Sequence, residues 1–212
     1  MRKILSVLLA LCLIVGLTAC SGGSSEEAAD ADNTAETAAE EQTEAPESEE
    51  SGSGSETLVV YFSATGNTKA VAEKIASITG ADTYEIKAAQ EYTDADLDWN
   101  DDDSRSTHEQ NDASARPEIG SEKVSLDGYK TIYIGYPIWW GEEPRIMDTF
   151  VESYDFDGIT MIPFCTSGGS GIGRSGQNLA DKAGSGNWLE GDRLESSISE
   201  DELKTWIEGL KK

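Results

Sequence analysis

Between Ser63 and Thr68 the chain reads S-A-T-G-N-T, six small or polar residues wedged between an apolar run and a helical pattern. Ser63, Thr65, Asn67 and Thr68 bring hydroxyl and amide donors to the start of a helix. Ala64 and Gly66 keep the loop small. The first turn of a helix offers unpaired backbone N–H groups and the positive end of a dipole, so a phosphate monoester is a ligand suited to this loop. Helix capping by the same hydroxyls is the competing reading. A Walker loop is excluded, because G-x-x-x-x-G-K-[ST] is absent and Lys69 follows a threonine. Two more loops have unusual chemistry: Pro137, Ile138, Trp139, Trp140, Gly141 and Thr166, Ser167, Gly168, Gly169, Ser170, Gly171. The first offers flat aromatic faces; the second offers backbone donors with little side chain in front of them.

These loops need elements to position them. Leu58 to Phe62 is a continuous β-branched and aromatic run, the pattern of a strand buried on both faces. Val71, Ile75 and Ile78 follow at helical spacing, and Gly80 is placed to end that helix. Asp82 to Lys87 alternates as a second strand, at an edge. Tyr129 to Gly135 predicts a third strand running into the tryptophan loop, and Glu143, Pro144 and Arg145 open a helix with Ile146, Phe150 and Val151 on its inner face. Gly158 to Cys165 predicts a fourth strand and Arg174 to Lys182 a helix. Trp188 to Leu194 holds a weak fifth strand. Ser199 to Glu202 forms a capping box for a last helix, with Leu203, Trp206, Ile207 and Leu210 inward. Strands alternating with helices specify a doubly wound parallel sheet, with all three loops at its carboxyl edge. The 38 residues from Ala88 to Ser125 are an insertion, expected to fold over the surface with Tyr92 and Trp99 as anchors.

The segment S-A-T-G-N-T resembles the phosphate loop of the flavodoxin family, and the resemblance spans nearly all of Thr57 to Lys212. P-I-W-W-G and F-C-T-S-G-G-S-G resemble a bacterial flavodoxin-like branch. The resemblance implies a five-stranded sheet of order 2-1-3-4-5 with helices on both faces, an order that places a ligand where the winding reverses. It also implies FMN as cofactor, with Ser63 to Thr68 on the phosphate and Pro137 to Gly141 and Thr166 to Gly171 around the isoalloxazine ring. The implied function is electron transfer; an FMN-dependent NAD(P)H:quinone or flavin reductase is the alternative. Gly171 to Gly176 also fits G-x-G-x-x-G, but it follows the fourth strand and not the first, which disfavours a dinucleotide site. The only histidine, His108, supports neither a serine triad nor a histidine metal cluster.

The ends of the chain predict where it works. Arg2 and Lys3 precede an apolar run, and Leu17-Thr18-Ala19-Cys20 resembles a bacterial lipobox, so residues 1–20 read as a lipoprotein signal with Cys20 as the lipidated residue. Residues 21–56 hold twelve acidic residues, no basic residue and no aromatic, the composition of a solvated tether. As a coil it spans roughly 35 Å and at full extension about 120 Å. Residues 57–212 then form the FMN-binding domain, with 14 basic residues against 29 acidic ones. That balance argues against nucleic acid and for a redox partner with a basic surface. The expected location is outside the cytoplasmic membrane, held by the lipid. Cys165 is left without a partner for a disulfide in the domain.

Overall fold

The computed structural model describes residues 54–210, so the signal, Cys20 and most of the tether lie outside the described residues. In chain order the elements are β1 (Thr57–Phe62), α1 (Asn67–Thr79), β2 (Asp82–Ile86), α2 (Arg105–Asn111), β3 (Thr131–Pro137), α3 (Arg145–Val151), β4 (Thr160–Thr166), α4 (Ser175–Ala183), β5 (Asn187–Trp188), β6 (Asp192–Arg193) and α5 (Glu200–Gly209). All strand pairings are parallel, in the order β2-β1-β3-β4-β5, with β6 also on β4. The expected 2-1-3-4-5 order is therefore present.

The apolar runs are continuous because each central strand feeds two cores. Leu58, Val60 and Phe62 of β1 join Ile132, Ile134 and Tyr136 of β3 on the face covered by α3 and α4. Val59 and Tyr61 join Tyr133, Ile162 and Phe164 on the face covered by α1 and α5. On α1, Thr68, Val71, Ala72 and Ile75 are buried at helical spacing, and Gly80 caps the helix in the left-handed region (φ 68°). The capping box of α5 forms as expected, Ser199 Oγ accepting from Glu202 N while the Glu202 carboxylate accepts from Ser199 N. Leu203 and Ile207 are buried, whereas Trp206 is half-buried against Tyr133.

Two expectations need correction. The weak fifth strand is split into β5 and β6, and the reason is Pro163. The carbonyls of Ile159, just before β4, and of Met161 and Cys165 within it face this edge, accepting from Asn187, Leu189 and Leu194. By the two-residue period Pro163 faces it too, with no N–H to offer. Pairing therefore lapses opposite Pro163, between Met161↔Trp188 and Phe164↔Asp192. The insertion is also not anchored as expected. Tyr92 packs edge-on to Phe62 and Trp139 (ring centroids 5.8 and 5.3 Å), but Trp99 is 73 % exposed. The insertion is closed at its base by Ala89 N to Glu118 O and Gly120 N to Lys87 O, both 2.8 Å.

Candidate functional site

The loop after β1 presents a helix end more than a set of side chains. Gly66, at φ 84°, occupies the N-cap of α1 and gives no side-chain cap. Glycine is required there because the left-handed conformation strains any residue with a Cβ. Of the first-turn amides, Lys69 N–H reaches Ser63 Oγ (3.2 Å). Those of Asn67 and Thr68 are left at the open end of a 13-residue helix, where an anion is favoured. Asn67 Nδ2 donates to Thr65 Oγ1 at 3.1 Å. The Thr68 hydroxyl is turned inward and shares a hydrogen bond with Thr166 Oγ1 (2.9 Å), so it braces this loop against the one after β4. Lys69 is directed away, toward Glu85 at 3.7 Å. The donors around an anion here would be uncharged.

After β3 the chain makes a two-residue hairpin. Trp139 and Glu142 exchange both backbone hydrogen bonds, at 2.9 and 3.0 Å, and the central residues Trp140 (φ 49°) and Gly141 (φ 87°) both have positive φ. Trp140 is the one non-glycine residue with positive φ among the described residues. A bulky side chain is costly in that region, and strain of this kind collects at functional sites. The hairpin separates the two indoles: Trp139 packs edge-on to Phe62 and Tyr92, while Trp140 stays 47 % exposed.

Beneath the hairpin lies a buried charge network. Glu143, fully buried, accepts from Lys182 Nζ (3.0 Å) and Asn178 Nδ2 (3.1 Å). Asp148, also fully buried, lies 3.2 Å from Lys182, 3.6 Å from Arg145 and 3.8 Å from Arg116. Burial pushes the Asp148 carboxyl up to about 6, against the pull of Lys182. Gln110 of α2 donates to the carbonyls of Trp139 and Glu143, both at 3.2 Å, and its own backbone carbonyl accepts from Arg145. The insertion is thereby clamped to the hairpin.

The third loop joins the other two through Thr166. Its carbonyl accepts from Ile138 N at 2.9 Å, and its side chain holds Thr68. Ser167 is held by its own loop, its hydroxyl donating to Ser170 O and accepting from Gly169 N (3.3 Å). A Cβ on Gly168, Gly169 or Gly171 would meet no atom within 4 Å, so the loop borders open space at these glycines.

A cavity of about 350 Å³ lies among these loops, lined by Thr65 and by Ile138, Trp139 and Trp140. Its remaining wall is Leu97, Trp99 and Ser106 of the insertion. Of the expected residues, Ser63 and Ala64 border a second hollow of about 350 Å³ on the β2 side. Pro137 ends β3 opposite Thr166. Thr166 to Gly171 line neither hollow and adjoin the first through the braces just described. Sequence reasoning missed Leu97, Trp99, Ser106 and Gln110 as parts of the site, although a tryptophan among acidic residues was the available signal. The cavity, with a planar aromatic lining and a free helix N-terminus nearby, fits a planar heteroaromatic carrying a phosphate. No metal-binding cluster occurs among the described residues, and His108 is exposed, 3.9 Å from Asp103. Of the glycines in the G-x-G-x-x-G match, Gly176 is held by packing, since a Cβ there would press on Pro163 Cγ at 3.2 Å, and Gly173 by its positive φ of 56°, whereas a Cβ on Gly171 would meet no atom within 4 Å.

The family model described as flavodoxin matches residues 56–210. A solved structure from Bacteroides eggerthii, provisionally described as a flavoprotein, is 46 % identical, with a TM-score of 0.69, over 74 % of this chain and 98 % of that one. A protein of Bacteroides uniformis, described in the same way, is 47 % identical, with a TM-score of 0.69, over 72 % and 97 %. A flavoprotein of Lactobacillus acidophilus solved in complex with FMN is 26 % identical, with a TM-score of 0.54, over 71 % and 97 %. No curated protein matches the chain.

Proposed function

The chain belongs to the flavodoxin family, and from that premise we propose that it is an FMN-binding electron carrier working at the outer side of the cytoplasmic membrane. The observation that carries the reading is the meeting, at one sheet edge, of an α1 N-terminus with free amides and a tryptophan-lined cavity. The cofactor is FMN. Its phosphate belongs at the amides of Asn67 and Thr68 with the hydroxyls of Ser63 and Thr65, and its ring in the cavity against Trp139 or Trp140. Bound FMN supplies the ability to accept and pass on electrons singly or in pairs. The protein would bind and orient the ring and shield its apolar faces from water, in a domain whose 29 acidic residues outnumber its 14 basic ones. That charge supports a basic redox partner, which it would steer toward the ring edge.

Calorimetry with FMN and with riboflavin tests the site. Hydrogen bonds to a charged group contribute about 1.5–3 kcal/mol each, so losing the phosphate should weaken binding by roughly a hundred-fold or more. Equal affinities would overturn the phosphate assignment. Anaerobic mixing with NADH or NADPH separates carrier from reductase: rapid bleaching of the flavin absorbance, with turnover on a quinone, would make the protein an enzyme. The L-T-A-C sequence supports lipidation of Cys20, since a single acyl chain anchors only marginally and the lipobox pattern marks a multiply acylated cysteine. Cys20→Ser should release the protein from membranes. Retention of that variant in the membrane fraction, once the leader is removed, would refute the anchor.

A further inference from the structure

We infer that the insertion forms the outer wall of the flavin site, with Trp99 as the residue that stacks on the exposed face of the ring. This rests on the FMN reading above and adds an element that neither the loop motifs nor the family match assigns.

Trp99 and Trp140 are the exposed large hydrophobic side chains among the described residues, and both border the same cavity. One exposed indole needs no explanation, but two on the rim of one apolar hollow mark a surface meant to be covered. The segment holding Trp99 is built, not loose. Thr93 N and Oγ1 donate to the Asp96 carboxylate at 2.8 and 2.7 Å, and Leu97 N reaches Thr93 O at 3.1 Å. On the other side, Asn100 N donates to Asp98 Oδ1 and Asp103 N to Asp101 Oδ1, both at 2.9 Å. The carboxylates of Asp96, Asp98 and Asp101 are thus engaged in turns around Trp99. Ser106 N to Asp96 O (3.0 Å) fastens these turns to α2, and Gln110 fastens α2 to the hairpin. The indole is held out by hydrogen-bonded backbone on both sides.

The other loops leave this face uncovered. Trp139 is engaged with Phe62 and Tyr92, and Thr166 to Gly171 contains no side chain larger than threonine. A planar ring lying on the hairpin would therefore keep one face in water unless Trp99 covers it.

The test is calorimetric affinity for FMN and riboflavin, with tryptophan fluorescence quenching, in the wild type and in Trp99→Ala and Trp99→Phe. Trp99 is mostly exposed, so neither variant removes core packing. Stacking lost to alanine should raise the Kd on the order of ten-fold, equally for both ligands because they share the ring. Trp99→Phe should recover most of it. If Trp99→Ala binds both ligands within about two-fold of wild type and quenches equally, the wall assignment is wrong while FMN binding stands. If the wild type binds no FMN, the functional reading falls and this inference with it.

Discussion

The two ends of the sheet both hold hollows, and the larger one is at the wrong end for chemistry. At the amino edge a cavity of about 570 Å³ lies between Thr57, Thr131 and Thr160, the first residues of three strands, and the α1 and α5 termini. At the carboxyl edge the tryptophan-lined cavity is about 350 Å³. The difference lies in what faces them. The amino edge receives the C-terminal ends of α1 and α5, lined by Thr79 and Glu208, where carbonyls and the negative dipole end repel anions. The carboxyl edge receives the start of α1 and a strained hairpin over buried charges. Volume is a poor guide to a site, and the direction of the helices is a better one.

Variants at the two ends should therefore separate ligand binding from stability. The largest effect is expected from the charge network. An acid whose folded pKa lies above its unfolded value favours the folded state when protonated. With Asp148 pushed from 3.8 to about 6, its favourable contribution is complete below about pH 4 and is lost as pH rises through about 6, on the order of 3 kcal/mol. Denaturant melts of wild type and Asp148→Asn across about pH 4 to 7 should diverge by that amount. Superimposable profiles would show that the buried carboxyl does not titrate there.

Gly66→Ala comes next. With no neighbour near the added Cβ, the cost is that of a left-handed alanine, about 1–2 kcal/mol of stability, accompanied by displaced α1 amides. FMN affinity should fall on the order of ten-fold; unchanged affinity would place the phosphate elsewhere. Ser199→Ala removes the N-terminal cap of α5, which lines neither cavity, and should cost about 1 kcal/mol in melts. FMN titrations should not detect it. Smallest of all is Lys204→Ala, which breaks an exposed pair with Glu200 (3.6 Å) on the wall of the larger cavity and should cost at most about 0.5 kcal/mol. Any loss of FMN affinity in Lys204→Ala would reverse the comparison between the two ends.

Elements whose signals are local were legible in the amino-acid sequence. The β1 run, the α1 spacing with Gly80, the Ser199–Glu202 box and the alternation of strand and helix all depend on residues within a few positions of one another. The strand order came with the resemblance of S-A-T-G-N-T and its companion loops to the flavodoxin family, an order in keeping with the few that doubly wound sheets allow. The S-A-T-G-N-T loop was legible for the same reason, since its chemistry is that of its own helix end.

Features that depend on distant partners emerge only once the chain is folded. The break between β5 and β6 is set by Pro163, well before either strand in the chain, which acts only through the strand it belongs to. The Thr68 hydroxyl reads as a ligand donor until Thr166, 98 positions away, is placed 2.9 Å from it. Trp99 and Trp139 are both tryptophans beyond a strand, yet one is exposed and the other packed on Phe62 and Tyr92, because the turns of the insertion hold one indole out while the other meets its aromatic neighbours. Burial and pairing are properties of neighbours in space, and for this insertion the sequence names the residues without naming the neighbours.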